Sequence, residues 1–479
     1  LKSGAGIVTK IERSALVVHG HFSQPARGNP ITYTIGEEAE AAPFRNWNER
    51  ILANCYKPNA DTGNFNYISF SASEGLMKWL ESDALETYQL IVEADKQAYA
   101  KFAPAGNAIA TAYNHIILPL ARKRDKRTQA IWGLAVFERH FGRKARGFWM
   151  PEVAVDLETL GLLVEAGVEY TVLTERQVRN LPMNGGGGPF WVDLPGGKRI
   201  GVFVRHDALS SELSFNVHNL GGAGSWARQA LATARKNSGP VLVLATAGET
   251  FGHHFAGEEQ FLHWLVTHEA QQAGFEVTTL DRVWQNRQPT QTVMIAERTS
   301  WGDYPGLTQW ATGIVENGKD TTWKGALRRA LDNATSDLDR VYEDALRPYG
   351  IDPWRLRDAY LPALLKGMTP DAFISERIPA INAQAADVVK VSLQAQRLIQ
   401  RMYNSYTFTD NVLDGRQPRY AIACAAAALS MVQEVSGLDL NDRLPVDLAV
   451  VTSPDSNLTG ADMLREAVQE FELTLLRNQ

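Results

Sequence analysis

The sequence predicts a β/α barrel followed by a mainly α-helical half, and three observations carry that reading. Short β-branched runs at Ala15–Val18, Glu169–Leu173, Ile200–Val204 and Val241–Ala245 alternate with helical patterns, the order expected of parallel strands separated by crossover helices. In the segment Asp156–Ala166, Leu157, Leu160, Leu163 and Val164 share one helical face and Gly167 stops the turn. From about Thr322 the pattern changes to long helices. We therefore expect a barrel over residues 1–315 and a helical domain over 316–479 that completes a substrate cleft.

Taken in order, the first strand runs into His19-Gly20-His21-Phe22-Ser23-Gln24-Pro25, so two imidazoles leave the sheet on one side. Gly147-Phe148-Trp149-Met150-Pro151-Glu152 carries a carboxylate out of an aromatic, proline-stiffened run directly ahead of the Asp156–Ala166 helix. Asn184–Pro189 (NGGGGP) is too short for a domain linker and reads as a surface hairpin or a site-flanking loop. Strand Val241–Ala245 continues into Thr246-Ala247-Gly248-Glu249-Thr250-Phe251-Gly252-His253-His254, where the glycines allow backbone to approach a ligand closely. In the second half, Ile381–Met402 places Val388, Val391, Ala395, Leu398 and Met402 along a helix. Pro418–Ser436 has proline at its first position, Gly437 past its end and a narrow Ala421–Leu429 run suited to close helix packing. Asn404–Asp410 interrupts the helical half with aromatics and an aspartate.

At 479 residues the chain exceeds one core of ordinary size. With 48 Lys+Arg against 54 Asp+Glu, a net charge of -6 and no long basic run, it argues against nucleic acid and anionic membranes as partners. Cys55 and Cys424 are too few for a disulfide framework or, alone, a zinc site. No stretch approaches eighteen apolar residues, and Leu1–Arg13 carries charges in place of an apolar signal core, so a cytoplasmic location is expected.

The loops after the strands form the active-site face of a β/α barrel. His19 and His21 there are either site residues or braces of the loop, and an HxH pair could supply half a zinc site. Glu152 beside Trp149 suits a nucleophile or general base, one of the two carboxylates of glycoside hydrolysis. Its alternative role is a helix-leading glutamate stabilised by the dipole. His253 and His254 read equally as ligand contacts and as turn hydrogen bonds.

HGHFSQP at 19–25, GFWMPE at 147–152, ATAGETFGHH at 245–254 and Thr299-Ser300-Trp301-Gly302-Asp303 follow one another as the signature regions of glycoside hydrolase family 57 do, and the chain resembles that family. Trp47-Asn48-Glu49-Arg50, Ile68-Ser69-Phe70 and the segment from Ala112 to Leu120 resemble a bacterial subgroup of larger members. The resemblance is strong over roughly residues 15–310 and looser beyond. It implies a distorted barrel of seven β/α units with appended helices, acting with retention on an oligo- or polysaccharide of α-linked glucose or a related sugar, with no cofactor or metal. Glu152 then matches the nucleophile. The acid/base aspartate of the family's Asp-x-Glu-x-Phe/Tyr-Gly pattern falls at Ala247, so the proton donor is absent. Leaving-group protonation is worth roughly 10²–10⁴ in rate, so an inactivated form that holds its glycan but scarcely cuts it is expected. Glu249 belongs to the same pattern and lies two residues away along an extended segment, too far to be assumed a substitute. His19, His21, His115, Trp149, Glu249, Phe251, His253, Trp301 and Asp303 are assigned by resemblance to substrate binding, as is Asp410 by a looser match. In the implied two-step displacement Glu152 attacks the anomeric carbon, and an acid at 247, about 5–5.5 Å away, protonates the leaving oxygen and then activates water or a sugar hydroxyl.

Two other classes compete. A zinc-dependent deacetylase or α-mannosidase would gather His19, His21 and His253 around a metal, but no aspartate accompanies the HGH run. A non-catalytic carbohydrate-binding homologue would account for Ala247 directly.

Overall fold

A computed structural model of the chain describes residues 14–182, 186–237, 239–302, 306–316, 318–440 and 442–470. Seven parallel strands form the barrel: β1 (Ser14–Phe22), β2 (Ser69–Ala72), β3 (Ala110–Thr111), β4 (Gly147–Trp149), β5 (Tyr170–Thr174), β6 (Arg199–Arg205) and β7 (Val241–Ala247). Strand β1 pairs with β7 on one edge, His21 opposite Ala247, and with β2 on the other, His19 opposite Ser69 and His21 opposite Ser71. A bridge from Phe70 to Ala108 leads on to β3, and β3, β4, β5 and β6 pair in sequence. Strand β8 (Phe275–Thr278) fills the gap beside the start of β1, pairing with Ser14–Val17. The uninterrupted apolar runs of β1 and β7 follow from this position, since a barrel strand is covered on both faces.

The barrel closes between β6 and β7. The His206 amide donates to the Val243 carbonyl (2.8 Å), and below that bond Gly187 is wedged between the strands, donating to Val241 (2.7 Å) and accepting from Val204 (3.0 Å). A Cβ on Gly187 would stand 2.6 Å from a Val243 methyl, so only glycine fits. This corrects the surface-hairpin reading of Asn184–Pro189: its described part, Gly186–Pro189, runs through the wall, while Asn184 and Gly185 lie outside the described residues.

Helix α1 (Lys123–Phe141) covers the barrel beside α2 (Leu157–Glu165). Helix α2 matches its sequence signals: Asp156 caps it by accepting from the Thr159 amide, and Gly167 (φ +94°) releases the chain. The helical half contains α3 (Trp323–Leu346), α4 (Pro353–Leu365), α5 (Ala383–Met402), α6 (Ser405–Thr409) and α7 (Arg416–Ser436). Helix α5 starts after Asn382, whose side chain caps it, and its buried face includes Val389 and Leu393, with Val388 and Val391 half-buried beside them. Helix α7 begins at Arg416, so Pro418 stands in the first turn and not at its first residue, still where no intrahelical bond is lost. Every residue of its Ala421–Leu429 run is buried, the all-round burial of a central helix, and the small alanines let α5 approach. Cys55 and Cys424 are both buried and unpaired. Among the described residues no helix is long and apolar enough to cross a membrane.

The helical half rests on the carboxyl-terminal side of the barrel. Ile117 and Ala154, from loops after β3 and β4, belong to the helical core. Arg357 of α4, 1% exposed, fastens the seam by reaching Asp125 (2.8 Å) and Thr128 (3.1 Å) of α1 and Gln396 (2.7 Å) of α5. A buried guanidinium is tolerable there because its donors are matched; removing one member of such a cluster typically costs about 3–5 kcal/mol.

Candidate active site

Glu152 follows β4 on the turn Pro151–Val153, with Glu152 at φ +57° and Val153 at φ +47°. Left-handed backbone costs an L-residue about 1–2 kcal/mol, and the surroundings hold it there. The Trp301 amide donates to the Glu152 carbonyl (3.1 Å), the Val155 amide to Thr299 (2.9 Å), and the Gln177 side chain to the Val153 carbonyl (2.7 Å). Helix α2 starts only at Leu157 behind the Asp156 cap, so Glu152 is not the helix-leading carboxylate of the alternative reading.

Each oxygen of the carboxylate has one donor: the Trp301 indole on Oε2 (2.9 Å) and the Ser405 hydroxyl on Oε1 (3.0 Å). Ser405 opens α6 and is tied to the barrel by its amide, which donates to the His115 carbonyl (2.9 Å). Both halves of the chain therefore build the site. Burial raises the Glu152 pKa above its ordinary value, and the bonds from Trp301 and Ser405 only partly offset this.

From Ser405 a line of hydrogen bonds runs into the barrel: to His115 Nδ1 (2.8 Å), from His115 Nε2 to His21 Nε2 (2.7 Å), from His21 Nδ1 to Ser71 (2.7 Å), from Ser71 to His19 Nε2 (3.1 Å), and from His19 Nδ1 to Ser69 (3.1 Å). Its direction follows from Glu152. An ionised carboxylate only accepts, so Ser405 spends its proton there and must itself accept from His115 Nδ1–H. His115 Nε2 then accepts from His21, His21 Nδ1 accepts from Ser71, Ser71 accepts from His19, and Ser69 donates to His19. All three imidazoles are neutral in this scheme, in keeping with burial, which brings His19 and His115 down to about 3. Burial, with His115 and His19 as neighbours, sends His21 down as well.

Ser405→Ala removes a hydrogen bond to a charged group, a contact worth about 1.5–3 kcal/mol. The Glu152 midpoint should rise further, leaving less of the ionised carboxylate at any mildly acidic pH. Carbon-13 NMR titration of labelled glutamate reads this directly, and an unmoved Glu152 midpoint would contradict the coupling.

Several residues assigned to sugar contact serve beneath the surface. Trp149 is 0% exposed, stacked on His19 (4.8 Å) and His21 (5.2 Å) with its edge to Trp301 (5.6 Å). His19 (0%) and Phe251 (1%) are likewise buried. His21 and His115 are buried in the hydrogen-bond line, and Tyr406 stacks on His115 (5.3 Å). Glu249 turns to the Ser23 amide (2.9 Å) and the Tyr56 hydroxyl (2.8 Å), and burial pushes it up to about 7 against those bonds. His253 meets Trp47 in a T-shaped contact (5.9 Å), and the ring nitrogens of His19 and His21 are engaged with Ser69, Ser71 and His115, so the zinc-ligand trio is not assembled. Among the described residues no group of three or more His, Cys, Asp or Glu side chains is arranged to hold a metal. Asp410 accepts from the Val412 amide in its own loop (3.0 Å). Asp303 lies outside the described residues.

Ala247 ends β7 opposite His21, and paired residues on neighbouring strands project to the same face. Its methyl therefore points into the barrel mouth beside His21. The next residue must be glycine, since a Cβ on Gly248 would meet the Phe22 ring at 2.4 Å. Ser405, Ser69, Ser71, Tyr56 and Tyr406 were not singled out from sequence. The alternating serines of β2 opposite the histidines were the one local signal for any of them.

A closed parallel barrel with a strained, doubly hydrogen-bonded carboxylate at the carboxyl ends of its strands has the build of a β/α-barrel enzyme. The model of glycosyl hydrolase family 57 matches residues 24–296, more than half of the chain, and the chain belongs to that family. Residues 320–477 match a domain of unknown function (DUF3536). The fold is similar to an exo-type maltose-forming amylase from Pyrococcus sp. ST04, with 15% identity over 95% of this chain and 88% of that one (TM-score 0.73). It is also similar to a branching enzyme from Pyrococcus horikoshii (14%, 97% of each chain, 0.57) and the α-amylase AmyC from Thermotoga maritima (16%, 95% and 99%, 0.58). No curated protein sequence matches.

Proposed function

We propose that the chain is a retaining enzyme scaffold for an α-linked glucan, or a related α-glycan, with Glu152 as nucleophile and its acid/base position silenced at Ala247. The observation that carries this is the pairing of a strained Glu152, each oxygen held by one donor, with a bare methyl directed into the same barrel mouth. The amylases and branching enzyme that share the fold support α-glucan as the substrate class.

In the two-step route Glu152 attacks the anomeric carbon, the leaving oxygen takes a proton from the residue at 247, and that same group then deprotonates water or a sugar hydroxyl. With alanine there, the leaving oxygen must depart as an alkoxide, a penalty of roughly 10²–10⁴ in rate. Glu152 keeps its two hydrogen-bond donors. The division proposed for the chain puts the catalytic barrel within 1–315 and the cleft-completing helices within 316–479; the delivery of Ser405 from α6 to Glu152 supports the second role.

Calorimetry with maltooligosaccharides, followed by chromatography of the same sample, tests the reading. Saturable binding with the sugar recovered uncut is expected. No binding to any α-glucan would contradict the substrate class, and rapid cleavage would contradict the loss of the acid.

A further inference from the structure

A cavity of about 400 Å³ adjoins the site, lined by His115 and Asn404 together with Tyr33, Lys78, Arg397 and Arg401. Its charges do not balance. Arg139 is paired with Glu81 (2.8 Å), Arg27 with Glu38 (3.5 Å), and Glu74 meets His140 (2.9 Å). Among the described residues Lys78, Arg397 and Arg401 form no ion pair, and the remaining lining carboxylate, Asp83, is exposed beside Ser82.

Arg397 and Arg401 stand four residues apart on α5, which brings both to one face. Arg401 donates only to neutral partners, the Pro30 carbonyl (3.1 Å) and the Tyr33 hydroxyl, and its guanidinium lies 4.1 Å from the Tyr33 ring centre. The Lys78 ammonium lies at the same distance from that ring. Arg397 keeps a buried Nε with no hydrogen-bond partner. Tyr33 itself is held at φ +66°, so the loop that lines the cavity beside these cations is strained. Burial alone would raise the Tyr33 phenol, yet it sits below its ordinary value because Arg401, Arg397 and Lys78 surround it with positive field.

Arg397 and Arg401 are partly buried cations without counterions, which is costly, and planar guanidinium forks match carboxylate and phosphate oxygens. We propose that this cavity binds the anionic group of a saccharide, a phosphate ester or a carboxylate, through Arg397, Arg401 and Lys78. The proposal rests on the α-glycan reading and narrows it: the substrate carries a negative charge, held in the cavity that His115 and Asn404 also line.

Calorimetry of the purified chain with glucose, glucose 6-phosphate, glucuronate and inorganic phosphate tests this, at low and high salt. At least one anionic sugar should bind at least about tenfold more tightly than glucose, the scale of a charge-assisted hydrogen bond. The advantage should shrink with salt and vanish in the R397M/R401M double variant. Which sugar acid binds better identifies the anion. Lys78 is exposed, so Lys78→Gln weakens the same advantage without risk to folding. Equal binding of glucose and both anions, an advantage that survives the arginine substitutions, or inorganic phosphate binding as tightly as glucose 6-phosphate would each overturn the proposal. Maltotetraose run in parallel separates the two readings. If it binds while the anions gain nothing, the cavity assignment fails alone; if the anions bind and it does not, the α-glycan reading fails.

Discussion

Ala247→Asp is expected to raise turnover of maltooligosaccharides by roughly 10²–10⁴, the worth of a positioned general acid. The strand register supports the gain, because position 247 is opposite His21 and shares its face, so the new carboxyl enters the barrel mouth. The flanking Gly248 and the buried Glu249 keep their packing, since the change adds one carboxyl at a half-buried position. Reducing-end or product-length assays on the purified variant check it. A folded Ala247→Asp protein inert on every α-glucan tried would point to a glycan-binding role instead.

The second large effect is a loss. In the Ala247→Asp background, Glu152→Gln should abolish the restored activity, because an amide cannot form the glycosyl ester at the anomeric carbon. The swap keeps the shape of the side chain, and a glutamine oxygen still accepts from either Trp301 or Ser405. Thermal denaturation should therefore show a folded protein that binds sugar and does not turn it over. Activity undiminished in that double variant would remove Glu152 from the chemistry.

The barrel was legible because strands such as β1 and β7 are covered on both faces and read as apolar runs, and because Asp156 and Gly167 mark a helix at both ends. Its closure was not. The NGGGGP segment resembles a hairpin by composition, and only the spacing between β6 and β7 reveals that Gly187 is a strand-like wedge. Glu152 stood out from its local motif, whereas Ser405, which binds it, lies 253 residues away in a stretch legible only as an interruption between helices. Trp149 shows a different gap. An aromatic next to a candidate nucleophile reads as a sugar platform, but the two histidines of β1 stack on the ring and Trp301 covers its edge. Neighbourhood in sequence left open which side of the surface these residues occupy.

The most direct test of the central claim uses the unaltered chain. An α-glucosyl fluoride needs no leaving-group proton, so Glu152 should still attack it, and without a base at 247 the second step should be slow. Mass spectrometry after incubation should find one hexosyl increment on the peptide containing Glu152. An unmodified protein, or an increment on another residue such as Glu249, would contradict the account.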